Sequence, residues 1–213
     1  MDLDIDPVSD KMFRMELPNP VGIDVGVSNI AVLSDGTVYE NTHGYYKEID
    51  EFRKTGEKLS RTLTNTKQYR KTKSRLNHKY RRIVSRRKDR VEKISLDIIK
   101  NHTTIVMEDL SVKGLRSISK SSRMMISYND GSLGLLRKRI SDKAMEAGRE
   151  LILVDPRNTS QMCSGCGNMV HKGLSDRVHI CQECGLIMDR DLNASVNILR
   201  LGLTRNPSLA TTG

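Results

Sequence analysis

The stretch Val21-Gly22-Ile23-Asp24-Val25-Gly26, followed by Val27-Ser28 and then Asn29-Ile30-Ala31-Val32-Leu33, decides the fold. Val21, Ile23 and Val25 alternate with small or polar residues, the period of two expected of a strand with one face in a core. After the turn at Val27-Ser28, residues 29–33 read as a second strand. Asp35-Gly36 is a tight hairpin signal, and Thr37-Val38-Tyr39 begins a third strand. The expectation is a three-stranded antiparallel meander, with Asp24 on the polar face of its first strand.

Downstream, residues 103–107 form a short β-branched and apolar run that reads as a buried strand. It ends directly in Glu108-Asp109, which places carboxylates at the rim of a sheet. Residues 151–154 read as a fifth strand. Between them, residues 111–131 have the Ser, Lys, Arg and Gly content of a loop. Residues 133–147 then read as a helix with the core line Leu133, Leu136, Ile140, Ala144 and Ala147, capped by Gly148. A last helix is expected over residues 191–201, with Gly202 as its stop.

With 213 residues the chain can bury an ordinary core without disulfides. Its net charge of +10 and pI near 9.6 imply attraction to polyanions at low salt. The charge is concentrated. Residues 67–93 hold thirteen Lys or Arg against Asp89 and Glu92, with no Pro or Gly, and read as one long helix. Leu76, Tyr80, Ile83, Val91, Ile94 and Ile98 supply its apolar face. The remaining faces carry Arg70, Lys71, Lys73, Arg75, Lys79, Arg81, Arg82, Arg86, Arg87 and Arg90 as candidate contacts to a nucleic-acid backbone; a solvated helix surface is the plainer alternative. Met1 to Asp10 hold four aspartates and no apolar run, and no stretch has eighteen uninterrupted apolar residues, so neither a signal peptide nor a membrane span is expected.

All four cysteines fall in two pairs, Cys163-Ser-Gly-Cys166 and Cys181-Gln-Glu-Cys184, each followed at once by glycine. Thiolates three residues apart grip one tetrahedral ion from a tight turn, and Gly167 and Gly185 allow the positive φ that the turn requires. The pattern predicts one structural zinc ion in a reducing, cytoplasmic setting. Because the protein fills all four ligand positions, no site is left for a catalytic water. His171 and His179 are expected to be ordinary surface or hairpin residues.

Asp24, Glu108 and Asp191 meet at one sheet edge if the first and fourth strands are neighbours. A pair of magnesium ions roughly 3.5–4 Å apart needs such a cluster to activate water at a phosphodiester. Four motifs then carry a resemblance: Gly22-Ile23-Asp24-Val25-Gly26, Val106-Met107-Glu108-Asp109-Leu110, Val154-Asp155-Pro156-Arg157-Asn158-Thr159-Ser160-Gln161 running into Cys163, and Asp189-Arg190-Asp191-Leu192-Asn193-Ala194. In this order they resemble the RuvC-like nuclease and zinc-ribbon half of TnpB proteins, the OrfB products of insertion sequences and relatives of type V CRISPR effectors.

The resemblance implies an α/β, RNase H-like (RuvC) mixed sheet with flanking helices and an inserted zinc ribbon. It implies Asp24, Glu108 and Asp191 as a catalytic triad holding two magnesium or manganese ions, although from the sequence either Asp189 or Asp191 could be the third ligand. The expected organisation is a flexible leader over 1–19, a nuclease domain over 20–155, the ribbon over 156–188, the final helix of the nuclease domain over 189–202 and a disordered tail over 203–213. The implied function is a transposon-associated, metal-dependent DNA endonuclease with DNA and a guide RNA as partners. Only some twenty residues precede Asp24, where full-length members carry a recognition portion. A separate chain is therefore an expected partner, and a weak or inactive nucleic-acid-binding accessory protein is the alternative.

Overall fold

The computed structural model describes residues 19–26, 28–41, 44–109, 133–173 and 176–205. Strands β1 (Pro20–Asp24), β2 (Asn29–Leu33) and β3 (Val38–Glu40) form the expected antiparallel meander, closed at Asp35-Gly36, where Gly36 has φ +91°. Helices α1 (Gly44–Ser60) and α2 (Lys67–Asn101) follow. Then come β4 (Thr104–Glu108), α3 (Leu133–Glu146), β5 (Glu150–Val154), the pair β6 (Val178–Ile180) and β7 (Ile187–Asp189), and α4 (Arg190–Arg205).

The main sheet has the order β3-β2-β1-β4-β5, antiparallel across β1 and β2 but parallel across β1, β4 and β5. Strands β1 and β4 are therefore neighbours, the condition on which the carboxylate cluster depends. Both of their faces are covered. On one, Val21, Ile23, Ile105 and Met107 pack with Val91, Ile94 and Ile98 of α2 and Leu136, Ile140 and Ala144 of α3. On the other, Val106 and Val154 pack with Ile198 of α4. Continuous burial along β4 explains why its sequence is an unbroken apolar run rather than an alternation.

Helix α2 runs 35 residues, farther than its basic stretch. Thr66 caps it by accepting a hydrogen bond from the Tyr69 N–H at 3.1 Å. Its apolar line holds in the second half and dissolves in the first: Ile83, Val91, Ile94 and Ile98 are buried, Leu76 is half-buried, and Tyr80 is 57% exposed beside Phe52 of α1. Among the described residues, the first half packs on α1. Helix α1 itself was not anticipated, because Gly44 and Gly56 lower its propensity and its packing partner lies in a different segment.

Helix α3 ends as expected, with Gly148 at φ +63° and the Arg149 N–H returning to the Ala144 carbonyl at 2.7 Å. Ala147 is exposed rather than on the core line. The reading of Gly202 as a helix stop is corrected. Helix α4 continues to Arg205, and Gly202 lies inside it because a Cβ there would come within 2.5 Å of a Val106 methyl. Gly22 is tighter still: a Cβ would lie 2.1 Å from the Ser195 carbonyl oxygen and 2.6 Å from the Leu199 nitrogen. The backbone of α4 thus rests directly on β1 and, at Gly202, on the Val106 side chain of β4. The expected leader up to residue 18, the loop over 111–131 and the tail beyond Arg205 lie outside the described residues.

Gly22→Ala should destabilise the fold by about 3 kcal/mol, the upper end for overpacking, because backbone rather than a flexible side chain must move. Gly56→Ala in α1 meets nothing closer than 4.0 Å and should be stabilising by up to about 1 kcal/mol. Urea denaturation of the two variants checks both signs.

Candidate active site and metal centre

Parallel register places Gly22 beside Val106 and Ile23 beside Met107, so the next step sets Asp24 at the end of β1 beside Glu108 at the end of β4. Strand alternation puts both carboxylates on the face carrying Gly22 and Val106, the face that α4 covers. Asp191, in the first turn of α4, is brought to the same end of the sheet. Glu108 is buried and accepts a hydrogen bond from the Thr159 hydroxyl, while Asp24 and Asp191 are half-buried.

Three carboxylates in this space disfavour one another's charge. Burial first, then the charges of Glu108 and Asp191, push Asp24 from 3.8 up to about 8, against a smaller lowering influence of Arg190. Burial raises Glu108, with the Thr159 hydrogen bond partly opposing it. Burial and then Asp189 raise Asp191, while Arg177 and Arg190 pull the other way. Such mutual repulsion is what a bound cation relieves.

Asp189 and Asp191 make different contacts at the start of α4. Asp189 ends β7 and its Oδ1 accepts from the N–H groups of Asp191 and Leu192 at 2.8 and 3.0 Å, so it caps α4. Asp191 repels Asp24 more strongly than Asp189 does. Of the other acids nearby, Asp109 pairs with Arg137 at 2.6 Å and Asp155 accepts from the Arg157 N–H at 3.0 Å.

The four cysteines are free thiols whose Sγ atoms all lie within 4.8 Å of one another. The edges Cys163–Cys184 and Cys166–Cys181 are both 3.6 Å, close to the roughly 3.8 Å expected for sulfurs 2.3 Å from a tetrahedral ion. Gly167 and Gly185 have φ +80° and +75°, and their N–H groups return to the Cys163 and Cys181 carbonyls. The N–H of Cys184, aided by that of Glu183, holds the Cys181 thiol down to about 7. The cluster is thus able to hold a metal ion. His171 is exposed, and His179 lies in the β6–β7 hairpin, where it is fully buried.

Residues that the sequence reading missed join this cluster to the carboxylates. Asn193 of α4 accepts from the Ser164 N–H and donates to the Met162 carbonyl, at 2.9 and 2.8 Å. Asn197 donates to the Thr159 and Met162 carbonyls, and Arg200 to the Ser164 carbonyl at 2.7 Å. Polar residues at 193, 197 and 200 share one helix face, a spacing that could have signalled a buried polar seam.

The basic residues of α2 divide into two groups. Arg70, Lys71, Lys73, Arg75 and Arg81 are exposed. Lys79 instead pairs with Glu51 of α1 at 2.7 Å, Arg82 and Arg86 pair with Glu48, and Arg90 donates to the Glu40 carbonyl. Arg87 is half-buried. Lys79, Arg82, Arg86 and Arg90 thus also tie α2 to α1 or to the end of β3.

Because folding raises Asp24 from 3.8 to about 8, the folded metal-free protein binds a proton that the unfolded chain has lost across that window. Stability must therefore fall as pH rises from about 4 to 8. Asp24→Asn removes the term, so in buffer without divalent metal its melting temperature should exceed that of the parent by a margin that widens between pH 5 and 8. Thermal melts of both proteins at stepped pH measure the margin.

Two family models match this chain: "Probable transposase" (OrfB) over residues 15–119 and "Cas12f1-like, TNB domain" over residues 134–198. "Putative RNA-guided DNA endonuclease InsQ" of Escherichia coli strain K12 is 30% identical over 195 residues, which is 85% of this chain and 48% of that protein. "TnpB-like protein L79" of Acanthamoeba polyphaga mimivirus is 30% identical over 203 residues, 87% of this chain and 38% of its own length. The chain thus spans about half, or less, of the length of these relatives. The cryo-EM structure of a Cas12f1–sgRNA–target DNA complex matches with a TM-score of 0.60 at 21% identity, over 91% of this chain and 52% of that one, a likeness of fold. With its sheet order, its converging carboxylates and its two knuckles of cysteine, the chain belongs to the TnpB/OrfB family and carries that family's RNase H-like (RuvC) fold.

Proposed function

We propose that this chain is the nuclease portion of a transposon-associated, TnpB-type DNA endonuclease that depends on divalent metal and works with a guide RNA. The observation that carries the reading is the convergence of Asp24, Glu108 and Asp191 from two neighbouring strands and the start of α4, close enough that Glu108 and Asp191 both disfavour the charge of Asp24. In this reading the three carboxylates hold two magnesium or manganese ions. When bound, such a pair activates water and steadies the leaving oxygen of a phosphodiester. Thr159 holds the Glu108 carboxylate in place, and Asp189 fixes the start of α4 and hence the position of Asp191. The names of InsQ and of the Cas12f1 complex support DNA as substrate and RNA as guide.

The four cysteines hold one zinc ion, with a structural role, since the protein fills all four positions. The exposed cations of α2, Arg70 through Arg81, track a nucleic-acid backbone. The proposed boundaries are the nuclease domain over 20–155, the ribbon over 156–188 and a return to the nuclease domain at 189. Among the described residues no helix is long and apolar enough to cross a membrane. A reducing, cytoplasmic setting belongs to the same reading, supported by the two C-x-x-C pairs and the proposed DNA substrate.

A nicking assay on single-stranded and duplex DNA, with magnesium or manganese and with or without RNA from the native element, tests the central reading. Asp24→Ala, Glu108→Ala and Asp191→Ala should each abolish cleavage while nucleic-acid binding persists. Asp189→Ala should lose about 1 kcal/mol of stability through its cap and retain part of the activity. Equal cleavage by parent and triad variants, or none by the parent under any condition, would defeat the assignment in favour of an accessory binding protein.

Elemental analysis should return one zinc per chain, and chelation or Cys181→Ser should unfold the ribbon. Because Asn193, Asn197 and Arg200 tie the ribbon to α4, zinc loss should also lower the melting temperature of the nuclease domain. Iron in place of zinc, or a full-strength domain after chelation, is the contrary result.

A further inference from the structure

We propose a phosphate-binding subsite beside the carboxylates, in a cleft of about 220 Å³ lined by Pro156, Asn158, Ser160, Gln161, Lys172 and Arg190, which takes a backbone phosphate of the DNA strand next to the one being cut. The identity of the ligand rests on the nuclease reading; the chemistry of the cleft does not.

The cleft shares a wall with the carboxylates. Asn158 and Ser160 flank Thr159, whose hydroxyl donates to Glu108, and Arg190 directly precedes Asp191 and stabilises the charge of Asp24. Asn158 has φ +65°, which turns the chain so that residues 158, 160 and 161 all line one hollow. The occupants of that hollow are donors. Two side-chain amides and a hydroxyl accompany two cations, and no carboxylate is among the lining residues.

The two cations are held together against their own interest. Burial first, and then Arg190, push Lys172 below the ordinary lysine range. Lys172 makes no ion pair among the described residues; its Nζ donates to Nδ1 of the buried His179, which accounts for one of three N–H groups. Arg190 uses part of its guanidinium to donate to the Gly173 and Asp176 carbonyls, which keeps it at the mouth of the cleft. A tetrahedral anion relieves the repulsion and satisfies the remaining N–H groups of Lys172. A phosphodiester is the anion that arrives with the substrate of the adjacent site, and seating a second phosphate fixes the strand's direction across the carboxylates.

The test is fluorescence anisotropy of a labelled oligothymidylate single strand binding to the full chain, in buffer without divalent metal so that no cleavage intervenes. Gln161→Glu keeps shape and places a negative charge in the cleft; it should weaken binding about tenfold, as should Lys172→Ala. Lys172→Arg should bind nearly as the parent does, and Lys172→Ala should lower the salt slope by about one. Zinc content and melting temperature of Gln161→Glu should match the parent. Unchanged affinity in Gln161→Glu would overturn the subsite, and so would a Lys172→Ala loss that arginine does not rescue, which would return Lys172 to a purely structural partner of His179. The two readings fail separately: weakened binding by Gln161→Glu in a protein that never cuts defeats the nuclease and leaves the subsite, whereas unchanged binding in a protein that cuts does the reverse.

Discussion

The backbone of α4 lies on β1 with no side chain between them. Gly22 is the only residue type that permits this, since even a methyl group would fall 2.1 Å from the Ser195 carbonyl oxygen. On β4 it is the helix that lacks the side chain, and Gly202 seats against the Val106 methyls. These two contacts set the height and angle at which α4 crosses the sheet. They thereby set where Asp191 stands relative to Asp24 and Glu108, which occupy the next outward positions on those same strands. A helix held farther from the sheet by a side chain at position 22 would carry its carboxylate away from the other two. The geometry of the candidate site therefore follows from missing side chains two residues inside it.

What converges there is repulsive. Asp24 is displaced upward to about 8 by burial and by its two acidic neighbours, so the fold keeps the carboxylates together at a cost to its own stability near neutral pH. Surrounding contacts hold the arrangement: Thr159 on Glu108, Asp189 at the start of α4, and Arg190 and Arg177 lending positive charge to Asp24 and Asp191. Locally unfavourable groups retained by a framework that over-determines them are what a binding site for cations requires.

The cysteine module is not an appendage on this framework. It interrupts the chain between β5 and α4, and α4 grips it through Asn193, Asn197 and Arg200 along one face while its first turn delivers Asp191. Loop 156–161 contributes to both, carrying Thr159 toward Glu108 and leading directly into Cys163. Metal in the thiol cluster and geometry at the carboxylates are thereby coupled through a single helix and a single loop.

Much of this was legible in the sequence because it rests on local chemistry. Alternation at 21–25, the Asp35-Gly36 turn, the apolar run ending in Glu108 and the two C-x-x-C-G knuckles each depend on residues within a few positions of one another. The short-range steric and hydrogen-bonding rules that shape them act before any tertiary contact forms. Other features depended on partners distant in the chain. Helix α1 has weak propensity and packs on α2; Gly202 is not a helix stop, because Val106 lies beneath it; Glu48 and Glu51 of α1 pair with Lys79, Arg82 and Arg86, a contact between distant segments. Asp189 and Asp191 could not be told apart by spacing, because two residues on a helix start differ only in direction, and direction is set by which N–H groups need a cap. Residue types and their periods determined the strands, the knuckles and the inventory of carboxylates; only the close passage of α4 over Gly22 decided which of those carboxylates meet.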